Sequence, residues 1–185
     1  MAATEQNEAI RTKEGRPLER RRFVGNATNK IDAKGRVSIP ADMRRQIDAG
    51  SDDPAPVLFC APSILADELL CGGADLKDYL LYMVAGLDLT DPMSGDRLDA
   101  EEMVLGLVER LYFDEAGRVV VPKALRDHAQ LSGPVSFVGR GDIFVMADAP
   151  AIAAKQSRLL SLDPDTRNRL RARMSPARNR AGGGE

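Results

Sequence analysis

Two short windows hold the residue types with the most chemistry in them. Residues 31–44 read IDAKGRVSIPADMR and residues 113–126 read FDEAGRVVVPKALR. The windows stand 82 residues apart and agree at six of fourteen positions: Asp32 with Asp114, Gly35 with Gly117, Arg36 with Arg118, Val37 with Val119, Pro40 with Pro122 and Arg44 with Arg126. Average composition would match about one position by chance, so the chain carries an internal duplication. In each copy Asp-x-x-Gly is a turn signal, since the aspartate can accept backbone N–H bonds and the glycine tolerates positive φ. An arginine follows directly. Its planar fork can clamp phosphates or read guanine edges. It can also pair with the aspartate and brace the turn, and the two roles are compatible. Lys34 adds a cation to the first turn, where the second has Ala116. Arg44, Arg45, Lys123 and Arg126 fall on the segments that follow, either as phosphate contacts or as ordinary surface groups.

The elements that must position these residues are legible around them. Val-x-Ile-Pro and Val-x-Val-Pro read as short strands, and each proline can open a helix, where its missing N–H costs nothing. Met43 and Ile47 fall four apart, as do Leu125 and Ala129, which predicts a short helix in each copy. The unit is strand, tight turn, strand, short helix. Residues 135–146, VSFVGRGDIFVM, predict a hairpin turning at 139–142. The first copy offers a polar loop at 50–56 and one strand at 57–60, so its hairpin reads as shortened or replaced. Residues 63–71, SILADELLC, and 75–87 have apolar residues at helical spacing, with a break at 88–95. Residues 99–111 predict a helix capped by Asp99. Residues 151–160 predict a helix matching the one at 63–71, and 163–174 a basic helix started by Asp163 and Pro164. Residues 1–20 and the stretch from 175 read as flexible. Each copy is too short to bury much surface alone, so the two are expected to pack together around one barrel-like core.

Composition narrows the classes. The chain has 185 residues, 43% hydrophobic and 29% charged, with a formal charge of −2. That argues against an indiscriminate basic coat but leaves room for a local basic face. Residues 51–102 carry two basic and twelve acidic groups, whereas 156–185 carry seven basic and three acidic ones. No apolar run approaches the length of a bilayer span, and residues 1–22 lack the apolar stretch of a secretory signal. Cys60 and Cys71 lie in apolar contexts without a CxxC spacing and read as core thiols. Nothing near His128 in sequence supplies a nucleophile, base and orienting acid as a set. The 139–142 turn lacks the following lysine–serine or lysine–threonine pair of a P-loop, and the acidic residues lack calcium-loop spacing. No cofactor, metal or catalytic residue is implied, and an enzyme is not expected.

The paired D-x-x-G-R turns, each followed by V-x-[IV]-P and an arginine-bearing helix, resemble the MraZ family of bacterial transcriptional regulators, built from two AbrB/SpoVT-type swapped-hairpin units. The phrases FVGNATNKIDAKGRVSIP and YFDEAGRVVVPKALRDHAQL are similar to the family's two motifs, and the likeness covers residues 23–160. The resemblance implies an α+β fold, mainly a β pseudo-symmetric barrel with peripheral helices. It implies a flexible arm at 1–22, a first AbrB-like unit at 23–70, a helical connector at 71–111, a second unit at 112–160 and a basic helix with a flexible tail at 161–185. It implies a DNA-binding regulator that represses the division and cell-wall gene cluster containing its own gene. Binding would be multivalent, at promoter direct repeats, by a ring-like homo-oligomer, an octamer or dodecamer, at the nucleoid in the cytoplasm. Lys34, Arg36 and Arg118, with Arg44 and Arg126, are the DNA-binding candidates; Asp32, Gly35, Asp114 and Gly117 brace the turns. The competing expectation is a protein-interaction module, antitoxin-like or a scaffold, without operator binding.

Overall fold

The computed structural model of the chain describes residues 23–48, 55–85 and 95–174. The expected arm at 1–22, most of the loop at 50–56, the break near 88–94 and the tail from 175 lie outside the described residues. The chain divides into two compact units, Met1–Ala149 and Pro150–Glu185.

The first unit is mixed α+β. In chain order it runs β1 (Asn26–Lys30), β2 (Arg36–Ser38), α1 (Ala41–Asp48), β3 (Val57–Pro62), β4 (Glu68–Gly72), α2 (Asp75–Ala85) and α3 (Gly95–Glu101). A π-helical turn at Glu102–Gly106 continues α3 and leads to β5 (Glu109–Tyr112), β6 (Arg118–Val120), α4 (Lys123–His128), β7 (Pro134–Gly139) and β8 (Phe144–Asp148). Beyond it come α5 (Ala149–Leu160), which starts on the first unit's last residue, and α6 (Pro164–Met174).

All strand pairings are antiparallel. Six strands form one sheet in the order β1-β7-β8-β4-β3-β5, and β2 pairs with β6 as a separate ribbon. Each copy's first strand thus pairs with the other copy's third: β1 with β7, and β5 with β3. The sheet is open. Its end strands β1 and β5 do not pair with each other, and each leads through its Asp-x-x-Gly turn into the ribbon. The expected α+β class is observed, and the strands expected to form a barrel-like core make an open sheet and a separate ribbon rather than a closed barrel.

Both faces of the sheet are covered, and side chains alternate between two apolar clusters, as the pleat requires. Leu58, Cys60, Leu69, Cys71, Phe144 and Met146 face the cluster containing Val37, Val119, Met43 and Leu125. Phe59, Ala61, Leu70 and Val145 face the one containing Leu76 and Leu80 of α2 and Val104 of the π-helical turn. Cys60 and Cys71 are register partners with their sulfurs 3.4 Å apart, both free and buried. Burial, then the neighbouring Cys60 thiol, pushes the Cys71 thiol well up from its ordinary value, which suits a packing role.

Three local expectations are corrected. Residues 63–71 are not a helix. Ser63–Asp67 turn the chain, with the Ser63 N–H donating to the Glu68 carbonyl at 3.0 Å, and β4 follows. Every residue of β4 is buried. A strand covered on both faces has no polar alternation to distinguish it from a short buried helix. The first copy's hairpin is therefore present as β3–β4 rather than shortened. The helix following it is α2, which takes the place in chain order that α5 takes after β8. The helix expected over 99–111 begins earlier, at Gly95, places Asp99 inside its span, and gives way to β5 at Glu109. The 139–142 turn and the two short helices starting after Pro40 and Pro122 are as expected.

Candidate nucleic-acid interface

The two turns are built alike, atom for atom. In the first, one Asp32 carboxylate oxygen accepts the backbone N–H groups of Lys34 and Arg36, each at 2.9 Å. The other accepts Arg36 Nε at 2.7 Å. The Gly35 N–H donates to the Asp32 carbonyl at 2.9 Å, with Gly35 at φ +81°. In the second, Asp114 accepts the N–H groups of Ala116 and Arg118 at 3.0 and 2.9 Å, and Arg118 Nε at 2.8 Å. Gly117 donates to the Asp114 carbonyl at 2.8 Å, at φ +69°. The aspartate holds its turn chiefly through backbone groups and, with its remaining oxygen, aims the arginine. Bracing and presentation are thus one arrangement.

These contacts lower both carboxyl groups from their ordinary value, the backbone N–H of the arginine being the largest cause in each. A depressed folded value means the stabilisation is fully present above the unfolded carboxylate value and is lost as pH falls through the folded one. Wild type is therefore expected to melt above an Asp32→Asn/Asp114→Asn variant at neutral pH, with the gap closing in acid below the ordinary carboxylate range. A gap that persists unchanged through that range in a paired thermal-melt series would refute the assignment.

The ribbon sets where the arginines point. Its register pairs Arg36 with Val120, Val37 with Val119 and Ser38 with Arg118. Paired and alternate residues share a face, so Arg36, Ser38, Arg118 and Val120 look one way while Val37 and Val119, each 1% exposed, are buried on the other. Arg36 and Arg118 are diagonal neighbours on the outward face, about 7–8 Å apart by sheet geometry and somewhat less between Cβ atoms. Their side chains are each 42% exposed. Apart from the Nε bonds, neither guanidinium has a side-chain partner among the described residues. Lys34 is exposed at the tip of the first turn.

Arg44 and Arg126 are placed differently. Both are half-buried, with Nε buried and without a hydrogen-bond partner among the described residues. Each lies against the other copy's turn. A Cβ added at Gly117 would fall on the Arg44 guanidinium, and one at Gly35 would come 2.7 Å from the Val121 carbonyl oxygen and 2.9 Å from Arg126 Nε. Arg45 and Lys123 instead pair with Asp42 and Asp127 on their own helices. His128 is half-buried, its Nε2 3.1 Å from the Ser63 carbonyl oxygen.

Sequence reasoning missed two residues of this face and one ion pair elsewhere in the fold. Ser38 and Val120 share the outward face with the arginines; only the alternation within RVS and RVV marks them. Arg140 holds Glu68 through two bonds of 2.6 and 2.7 Å, with the carboxylate side chain 7% exposed. Nothing in the sequence signals that pair. Among the described residues, no group of histidine, cysteine and acidic side chains could hold a metal ion, and no helix is long and apolar enough to cross a membrane.

The ribbon thus presents two aspartate-braced arginines on one outward face. No family model matches the chain. It is 34% identical over 151 residues to the transcriptional regulator MraZ of Methylocella silvestris, covering 82% of this chain and 88% of that one. It is 35% identical over 164 residues to that of Parvibaculum lavamentivorans, covering 88% and 98%. The match to that of Azorhizobium caulinodans is 37% identical over 123 residues, covering 66% and 74%. The chain belongs to the MraZ family.

Proposed function

We propose that this protein is a transcriptional regulator that binds duplex DNA through the outward face of the β2–β6 ribbon. The observation that carries the reading is the duplicated, aspartate-braced arginine turn on one exposed face of a two-stranded ribbon. A ribbon of that width fits the major groove, and Arg36 and Arg118 have unengaged fork nitrogens with which to read base edges or clamp phosphates. Lys34 supplies a further phosphate contact beside the first turn. Arg44 and Arg126 serve from beneath, each holding the other copy's turn in place. The relatives' shared name as transcriptional regulators supports the same role.

We infer a finer reading from the resemblance of the two motifs to the family. The strand exchange between copies suits a pair of AbrB-type swapped-hairpin units related by pseudo-symmetry. The protein acts in the cytoplasm at the nucleoid, as a ring-like homo-oligomer that represses the division and cell-wall cluster containing its own gene. Several copies meeting several direct repeats raise the effective affinity well above that of one copy.

Fluorescence-anisotropy titration with the protein's own upstream DNA, against a scrambled duplex, tests this reading. Preferential binding that weakens steeply with salt is expected. Equal binding to the two duplexes would remove the operator claim, and binding to neither would move the function to a protein partner.

A further inference from the structure

Helix α6 is an unusual element to keep ordered. Asp163 starts it, its carboxylate accepting the Thr166 N–H at 2.9 Å. From there the helix has no apolar stripe: residues 167–173 are all exposed, Leu170 among them at 45%. A helix that is polar all round does not owe its place to core packing, and eleven residues alone are marginal in water. Its charges work against it as well. Arg167 and Arg171, like Arg169 and Arg173, stand four apart, a spacing at which like charges destabilise a helix. The only acids are Asp163 and Asp165, at its start. An anionic partner would relieve that repulsion. The cations are all arginines and no lysines, the choice that suits phosphate, which the planar fork can grip with two bonds.

We propose that α6 is a second, sequence-independent contact to duplex DNA, gripping backbone phosphates while the ribbon reads the site. The proposal rests on the reading that the protein binds DNA. A duplex offers a charge about every 1.7 Å of its axis, so a helix with two arginine pairs finds partners in any register. The sequence continues with Arg178 and Arg180, and residues 156–185 hold only three acids.

The test uses the full chain with glutamine at 167, 169, 171 and 173, which keeps helix propensity and length. Promoter and scrambled duplexes are titrated over a salt series, and assembly size is followed by light scattering. Each phosphate contact contributes about 0.9 to the slope of log affinity against log salt. The variant's slope is expected to be shallower by about 3.6 on both duplexes if all four arginines engage, with the promoter-to-scrambled preference unchanged. Slopes equal to wild type, or a loss confined to the promoter, would overturn the proposal. So would an unchanged slope with altered assembly size, which would make the acidic 51–102 segment of a second copy the occupant. If wild type does not discriminate between duplexes but the slope difference persists, the operator reading fails and the role of α6 stands. If wild type binds neither duplex, both fail.

Discussion

Replacing Arg36 and Arg118 together by alanine is expected to erase the preference for the promoter duplex while leaving the fold intact. A well-placed arginine fork on a base is worth roughly thirty-fold in affinity, and the two contributions multiply. The fold is spared because Asp32 and Asp114 still accept the backbone N–H groups of residues 34, 36, 116 and 118 through the oxygen that the guanidinium does not use. The ion pairs themselves are largely exposed and contribute little to stability. Anisotropy titration with a matched thermal melt decides the matter. Promoter preference retained in the double variant would disprove the assigned contacts. A collapse in melting temperature would make the arginines structural. Lysine at both positions keeps the charge but loses the fork, so non-specific binding should survive with much of the preference gone.

The largest effect on stability is expected at Gly139. It closes β7 where the entering chain crosses: its N–H donates to the Gly25 carbonyl at 2.9 Å, and Phe23 exchanges bonds with Gly141 at 2.6 and 3.0 Å. A Cβ at Gly139 would land on the carbonyl carbon and oxygen of Phe23 and on the Val24 nitrogen. These are backbone atoms, which cannot rotate away. Relief requires moving Phe23, which is 3% exposed with its ring 5.1 Å from that of Phe144. Surrendering a buried phenylalanine costs about 3–5 kcal/mol, so Gly139→Ala should lower the melting midpoint by on the order of 10 °C. Gly133→Ala is the control, since a Cβ there meets nothing within 4 Å, and it should stay within about 0.5 kcal/mol of wild type. Equal losses at the two sites, read by denaturant titration, would show that the close crossing is not what makes Gly139 necessary.

Whatever acts over a few residues can be read from the amino-acid order alone. The duplicated Asp-x-x-Gly-Arg turn is a local device, closed by bonds between residues two to four apart, so its residue types announce it. The strands leaving it and the helices opened by Pro40 and Pro122 follow from neighbouring residues as well. The candidate arginines were legible for the same reason.

The rest depends on which elements meet in space. β4 reads as a helix until it is known to be covered on both faces, because burial on two sides removes the alternation that marks a strand. The open sheet arises from pairing β1 with β7 and β5 with β3, across more than a hundred residues in the first case, and no local pattern encodes a partner at that distance. The facing of Val37 and Val119, which turns two separate arginines into one surface, is a matter of register between the copies. The placement of Arg44 and Arg126 against the opposite turns, and the grip of Arg140 on Glu68, likewise depend on which elements meet. Sequence spacing specifies what a residue can do within its own turn; only packing specifies what stands across from it.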